Sequence, residues 1–169
     1  MVALADCNTF FASVASFTAS AATTLRGQGS SARIVTVFVS SNRFREDLPQ
    51  YGNAASVRLA VPSADTLELT RAALAALENI YLPGILYKKS GVILSDMVQG
   101  CVQNTLFDPV ERRPERFALY DTINSINHRY GTRTVKLAVE DSATEAWKVK
   151  SEHRTPNYLT DINELLTVR

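Results

Sequence analysis

Three short runs rich in β-branched residues limit what this chain can fold into: Arg33 to Val39, Ser56 to Val61, and Gly91 to Ser95. The first is rich in β-branched residues and ends in a polar loop, which predicts a strand. The second alternates cleanly before Pro62, which predicts a strand with one buried face. Two helical patterns are interleaved with them. Val14, Phe17, Ala21 and Leu25 recur at helical spacing and are stopped by Gly27 and Gly29. Ser63 is placed to cap a second helix through Leu67, Leu74, Leu77 and Tyr81, closed by Pro83-Gly84. A long polar loop, Ser40 to Gly52, joins the first two strands, and Lys88-Lys89 leads into the third. The order helix, strand, strand, helix, strand predicts an α+β domain, with two helices on one face of a small sheet that a fourth strand would complete.

Beyond this unit the pattern changes. Gln99 to Pro114 contains two prolines and no sustained period, so it reads as a linker or an extended segment. Pro114 opens a helix with Leu119, Ile123, Ile126 and Tyr130 on one face, stopped by Gly131. Thr134 to Val139 predicts a strand, Trp147 a core anchor, and Leu165-Leu166 a short apolar ending. Residues 114–169 thus form a small α/β appendage of about 55 residues, which needs the main domain or a partner for stability.

Charge and cysteine usage narrow the function classes. Lys+Arg 18 against Asp+Glu 17 gives a net charge of +1, so any nucleic-acid or membrane site has to be local. Cys7 and Cys101 lie far apart and outside any metal-ligand spacing, as expected of a reduced, cytoplasmic protein with no metal of its own. No apolar run reaches the roughly 20 residues of a bilayer span. His128 and His153 have no acidic or cysteine neighbours at ligand spacing. Arg112, Arg113 and Arg116 crowd a helix start, where the dipole disfavours cations, with Glu111 and Glu115 interleaved.

Several stretches carry a family resemblance. Gln50-Tyr51-Gly52-Asn53-Ala54-Ala55-Ser56-Val57-Arg58-Leu59, Tyr87-Lys88-Lys89-Ser90-Gly91-Val92, Gln103-Asn104-Thr105-Leu106-Phe107-Asp108 and the ending Leu165 to Arg169 resemble the little-finger domain and tail of UmuC-type catalytic subunits among the Y-family translesion DNA polymerases. Met1 to Ser13, with Ala5-Asp6-Cys7-Asn8-Thr9-Phe10-Phe11, resembles the opening strand and turn of the polymerase palm in the same family. The resemblance divides the chain into a palm-like remnant over 1–13, a little finger over 14–98, a linker over 99–113 and a C-terminal subdomain over 114–169.

The resemblance implies a polymerase whose two magnesium ions are held by carboxylates from two places. Asp6 matches the first carboxylate, Cys7 would lend a backbone carbonyl, and Phe11 matches the aromatic steric gate against a ribose 2′-hydroxyl. The second carboxylate motif, the fingers and the thumb have no counterpart in the sequence. The expectation is therefore a chain without polymerase activity and without a cofactor of its own. Half of a split polymerase and a clamp-binding decoy are the alternatives.

What the resemblance leaves to the chain is binding. A little finger grips duplex DNA through phosphates without reading sequence, a task suited to Lys, Arg and backbone N–H groups on a sheet face or rim. The candidates are Arg33, Arg43, Arg45, Arg58, Lys88 and Lys89, with Gly91 allowing close approach of backbone to phosphate. The same charges also suit an ordinary solvated face. Gln103, Leu106 and Phe107 resemble the pentapeptide that tethers bacterial polymerases to the sliding clamp, with Leu and Phe entering an apolar pocket and the Gln amide bonding at its rim. Asn104 departs from the Leu common there. The tail implies docking of a UmuD-type accessory subunit.

Overall fold

The central strand is the one with the strongest β-branched run. In the computed structural model, which describes residues 7–45, 47–100, 113–131 and 134–140, β1 (Ser30–Ser41) lies between β2 (Gly52–Ser63) and β3 (Tyr87–Gln99) in an antiparallel sheet of order β2-β1-β3. Alternate residues of β1 decide the two faces. Val35, Val37 and Val39 are buried against the helices, while Ile34, Thr36 and Phe38 face the other way and stay half-buried. Register carries this division across the sheet: Val37 sits between Ala55 and Val92, and Thr36 between Ser56 and Ile93.

Two helices cover the valine face. Helix α1 (Cys7–Gly27) presents Val14, Ala22 and Leu25, and α2 (Thr66–Ile80) presents Leu69, Ala72, Ala73, Ala76, Leu77 and Ile80. Small residues on both helices let them approach each other and the sheet closely. The many hydroxyls of α1 are absorbed locally: Thr18 Oγ1 donates to the Val14 carbonyl at 2.8 Å, and Ser20, Thr23 and Thr24 bond back one turn in the same way. At Gly29, φ is +63°, a conformation that turns the chain sharply from α1 into β1. A third helix, α3 (Arg113–Tyr130), follows residues 101–112, and Ala138–Glu140 form one short 3₁₀ turn.

The α+β class and the order of the first five elements agree with the sequence reading, and several details differ. Three strands pair among the described residues, not four. Helix α1 begins at Cys7 and runs unbroken through Ser13 and Val14, so residues 7–13 are helical and not a strand and turn. Helix α2 is capped by Asp65, whose Oδ1 accepts from the Glu68 N–H at 3.0 Å, while Ser63 accepts from the Asp65 N–H. Thr134 to Val139 is not a strand. The Asn127 amide takes both the N–H and the carbonyl of Val135, at 2.8 and 3.0 Å, and Glu140 takes the Leu137 N–H at 2.9 Å, so side chains stand where ladder partners would. The linker with Gln103, Leu106 and Phe107, and also Asp6, Arg112, Trp147 and His153, lie outside the described residues.

Candidate nucleic-acid interface

Because α1 and α2 pack on one side, no helix among the described residues lies over the opposite side of the sheet. Its surface runs through Ala54, Ser56 and Arg58 on β2, Ile34, Thr36 and Phe38 on β1, and Lys89, Gly91, Ile93 and Ser95 on β3. Ile93 is 52% exposed and Met97, further along β3, 60%. Thr36 and Ser56 bond each other across the strands at 2.8 Å. Gly91 has a reason different from the one its sequence position suggests. A Cβ at that position would lie 2.4 Å from the Phe38 ring, so the ring occupies the space over the glycine and closes it to a phosphate.

The predicted basic residues fall at two ends of this face. Arg33 and Arg58 meet at one end and share Asp96, with N–O distances of 4.0 and 3.8 Å; Asp96 itself adopts φ +54° at an irregularity in β3. Lys88 and Lys89 are exposed at the other end, where Lys89 pairs with Ser40 and the β1–β2 loop begins. That loop carries Arg43 and Arg45, both exposed. Asp47 holds Arg45 by paired bonds to both oxygens, which raises the arginine pKa and lowers that of the carboxylate. Along β3 the separation from Lys89 to Asp96 is roughly 23 Å at strand rise, so the six cations form two stations and not one cluster.

The aromatic residues at the start of α1 belong to packing. Phe10 stacks on Tyr87 at 5.1 Å, and Phe11 meets Tyr81 edge-on at 5.7 Å. Tyr51 Oη donates to the Ile80 carbonyl at 2.8 Å, and Tyr87 Oη bonds the backbone of Leu82, so this end of the domain is closed by an aromatic cluster. Phe11 therefore packs against the core in this structure. Among the described residues no three His, Cys, Asp or Glu side chains stand close enough to hold a metal ion.

Sequence reading missed one polar centre. Asp65 is only 3% exposed, yet it gathers groups from α2 and α3: the Glu68 N–H at 3.0 Å, Tyr120 Oη at 3.2 Å and Arg116 Nη2 at 3.0 Å, all at Oδ1. Arg116 Nε lies 2.8 Å from Oδ2, too poorly aligned for a hydrogen bond, so this second contact is an ion pair. Tyr120 Oη in turn accepts from the Leu67 N–H at 3.1 Å. Beside it Arg26 of α1 donates to the Ala64 carbonyl and Thr66 Oγ1, both at 2.8 Å, reaches Asn124 Oδ1 at 3.1 Å, and stacks over the Tyr120 ring at 4.8 Å. Burial lowers the Arg26 pKa, and Tyr120 and Asp65 counter it. Burial raises the pKa of Tyr120, with the Asp65 carboxylate adding to it. The helix-start arginine Arg116, odd in sequence, is explained by this carboxylate. Only the spacing of Arg116 and Tyr120 on one helical face hinted at it. A cavity of about 800 Å³ opens between α1 and α3 next to this centre, lined in part by Ala19, Ile123, Val135 and Leu137.

The described domain is thus a three-stranded sheet with two helices on one face and cations at both ends of the other. Residues 5–106 match the impB/mucB/samB family C-terminal domain, and residues 118–168 match a domain of unknown function, DUF4113. The chain is 34% identical over 157 residues to Protein UmuC of Salmonella typhimurium, covering 92% of this chain and 37% of that protein. It is 37% identical over 141 residues to Protein SamB of the same organism, covering 83% of this chain and 33% of SamB. Against Protein ImpB, also from Salmonella typhimurium, identity is 31% over 167 residues, covering 98% of this chain and 39% of ImpB. The chain belongs to the impB/mucB/samB family and corresponds to the C-terminal region of UmuC-type Y-family polymerases. It spans little more than a third of the length of these relatives. The similarity to the C-terminal domain reaches back to residue 5, across much of the stretch read as palm-like.

Proposed function

We propose that this chain is the DNA-gripping and clamp-tethering portion of an error-prone translesion polymerase acting in SOS repair, without polymerase chemistry of its own. The observation that supports the grip is the sheet face that no described helix covers, with Arg33 and Arg58 at one end and Lys88, Lys89 and Arg43 at the other. Such a surface holds phosphates at separated points and carries no dense set of base-edge readers, so binding is weak, independent of sequence and steeply dependent on salt. Shared Asp96 reduces what Arg33 and Arg58 offer, and Asp47 does the same to Arg45. Lys88, Lys89 and Arg43 therefore carry most of the phosphate binding.

The clamp tether rests on Gln103, Leu106 and Phe107, which follow the sheet domain directly in sequence. Docking of a UmuD-type partner belongs to the C-terminal subdomain in the same reading, in the cytoplasm. Magnesium belongs to the rest of the polymerase. The deciding experiment is fluorescence anisotropy on a primer-template duplex over a salt series. Lys88→Ala with Lys89→Ala should weaken binding and flatten the log–log salt slope by about one to two. An unchanged slope would remove both lysines from the interface.

A further inference from the structure

The most exposed large apolar side chain among the described residues is Phe44, at 91%. It stands at the tip of the β1–β2 loop between Arg43 and Arg45, at the Lys88-Lys89 end of the sheet. The loop that holds it is tied down. Gln50 Nε2 donates to three loop carbonyls, Asn42 at 3.2 Å, Arg45 at 2.7 Å and Leu48 at 3.2 Å. Asn42 Oδ1 accepts from the N–H of Phe44 itself at 3.2 Å, a side-chain turn that sets the direction of the tip. The Ser41 hydroxyl anchors the far side, accepting from the Tyr51 N–H at 2.9 Å. Arg45 and Asp47 close the loop by their ion pair.

A phenylalanine held out in water by such a framework leaves a large apolar area exposed with no packing gain, on a chain whose other aromatic residues at this end, Phe10, Phe11, Tyr51, Tyr81 and Tyr87, pack on one another. We propose that Phe44 is a stacking residue, which lays its ring on a nucleobase or sugar face of DNA while Arg43, Lys88 and Lys89 hold the neighbouring phosphates. The inference rests on the DNA-gripping reading above and adds a contact of a different chemical kind. Cations beside the ring favour a polyanion over an apolar protein groove, and a base offers a π-face whatever the sequence. Preorganisation matters as well: a loop backbone already held in place leaves only the side-chain rotation of Phe44 to be lost when a base settles on the ring.

The two kinds of contact separate in a salt series. Phosphate contacts release counterions and set the slope, whereas stacking shifts affinity at every salt concentration and leaves the slope alone. The test is anisotropy with a fluorescein-labelled primer-template bearing a single-stranded overhang, using the full chain. Phe44→Ala is expected to weaken binding by about five-fold or more at each salt concentration, with an unchanged slope. Phe44→Leu should remain weak and Phe44→Trp should restore affinity. Melting of all three should match the parent, since the ring packs on nothing. Wild-type affinity for Phe44→Ala or Phe44→Leu, or a slope altered by Phe44→Ala, would overturn the proposal. So would intact DNA binding combined with loss of self-association in sedimentation, which would make the tip a protein contact. Failure of the parent chain to bind DNA at low salt would strike the gripping reading itself, an outcome distinct from a DNA-binding parent indifferent to Phe44.

Discussion

Replacing Asp65 tests whether one carboxylate both starts α2 and fixes α3. Alanine removes the cap on the Glu68 N–H, the bond from Tyr120 and the fork from Arg116 together. Loss of an N-cap costs about 1 kcal/mol, and loss of a charge-assisted pairing at a nearly buried carboxylate about 2 kcal/mol more. The sum, about 3 kcal/mol, corresponds to a fall in Tm of roughly 6–12 °C for a chain of this size. Asparagine separates the two roles, since it caps as well as aspartate but carries no charge for Arg116. Asp65→Asn should therefore retain the cap and lose about 2 kcal/mol. Urea denaturation followed by far-UV circular dichroism gives both values. Equal losses for the two variants would mean that the cap contributes nothing or that asparagine fails to cap, and an undiminished stability for Asp65→Asn would mean that the ion pair is irrelevant. A loss below about 1 kcal/mol for Asp65→Ala would refute the idea that this centre joins α2 to α3 at all.

Tyr120 has its pKa raised in the folded chain, by burial first and then by the Asp65 carboxylate. The folded state therefore holds the phenolic proton more tightly than the unfolded one, so its contribution is full below about pH 10 and is lost as pH rises through the folded pKa; Tyr120→Phe should flatten that alkaline decline in stability. In a pulldown on a bacterial sliding clamp, Gln103→Ala with Leu106→Ala and Phe107→Ala should abolish retention, and equal retention of the triple variant would assign Leu106 and Phe107 to their own domain. Hydrogen exchange should rank β1 and α2 as the slowest segments and α3 as faster than both, because Tyr120 is the one α3 side chain buried among those described. Protection of α3 equal to that of β1 would contradict this ranking.

The sheet domain was legible because its apolar residues repeat at the periods of strand and helix. Val35, Val37 and Val39 announce an inner face by themselves, and Pro83-Gly84 and Gly29 mark real chain reversals. The strands run longer than their apolar cores, since Ser30, Ser31, Ser40 and Ser41 pair through backbone groups that no side-chain pattern reports. The start of α1 was hidden for a related reason. Cys7 to Ser13 holds few strong helix formers, and aromatic packing of Phe10 and Phe11 on Tyr81 and Tyr87 supports it from outside the helix. Asp65, Arg116 and Arg26 are far apart in sequence and meet only in three dimensions, so no spacing rule could bring them together. Gly91 is the converse case: the glycine is plain in sequence, and the Phe38 ring that requires it meets it only across the strands.

The two ways in which this chain is held together differ in kind. The sheet and its two helices are joined by interdigitated Val, Leu and Ala side chains, which separate only when the domain unfolds. Helix α3 is joined to them by long polar side chains: Arg26 reaching Asn124, and Arg116 and Tyr120 reaching Asp65. Polar joints of this type exchange their protein partners for water at modest net cost, whereas an apolar core cannot. The sheet domain is thus the part that holds its shape until it unfolds, because its core is apolar and interdigitated. Helix α3 is thus attached to the sheet domain by contacts that are specific but separable.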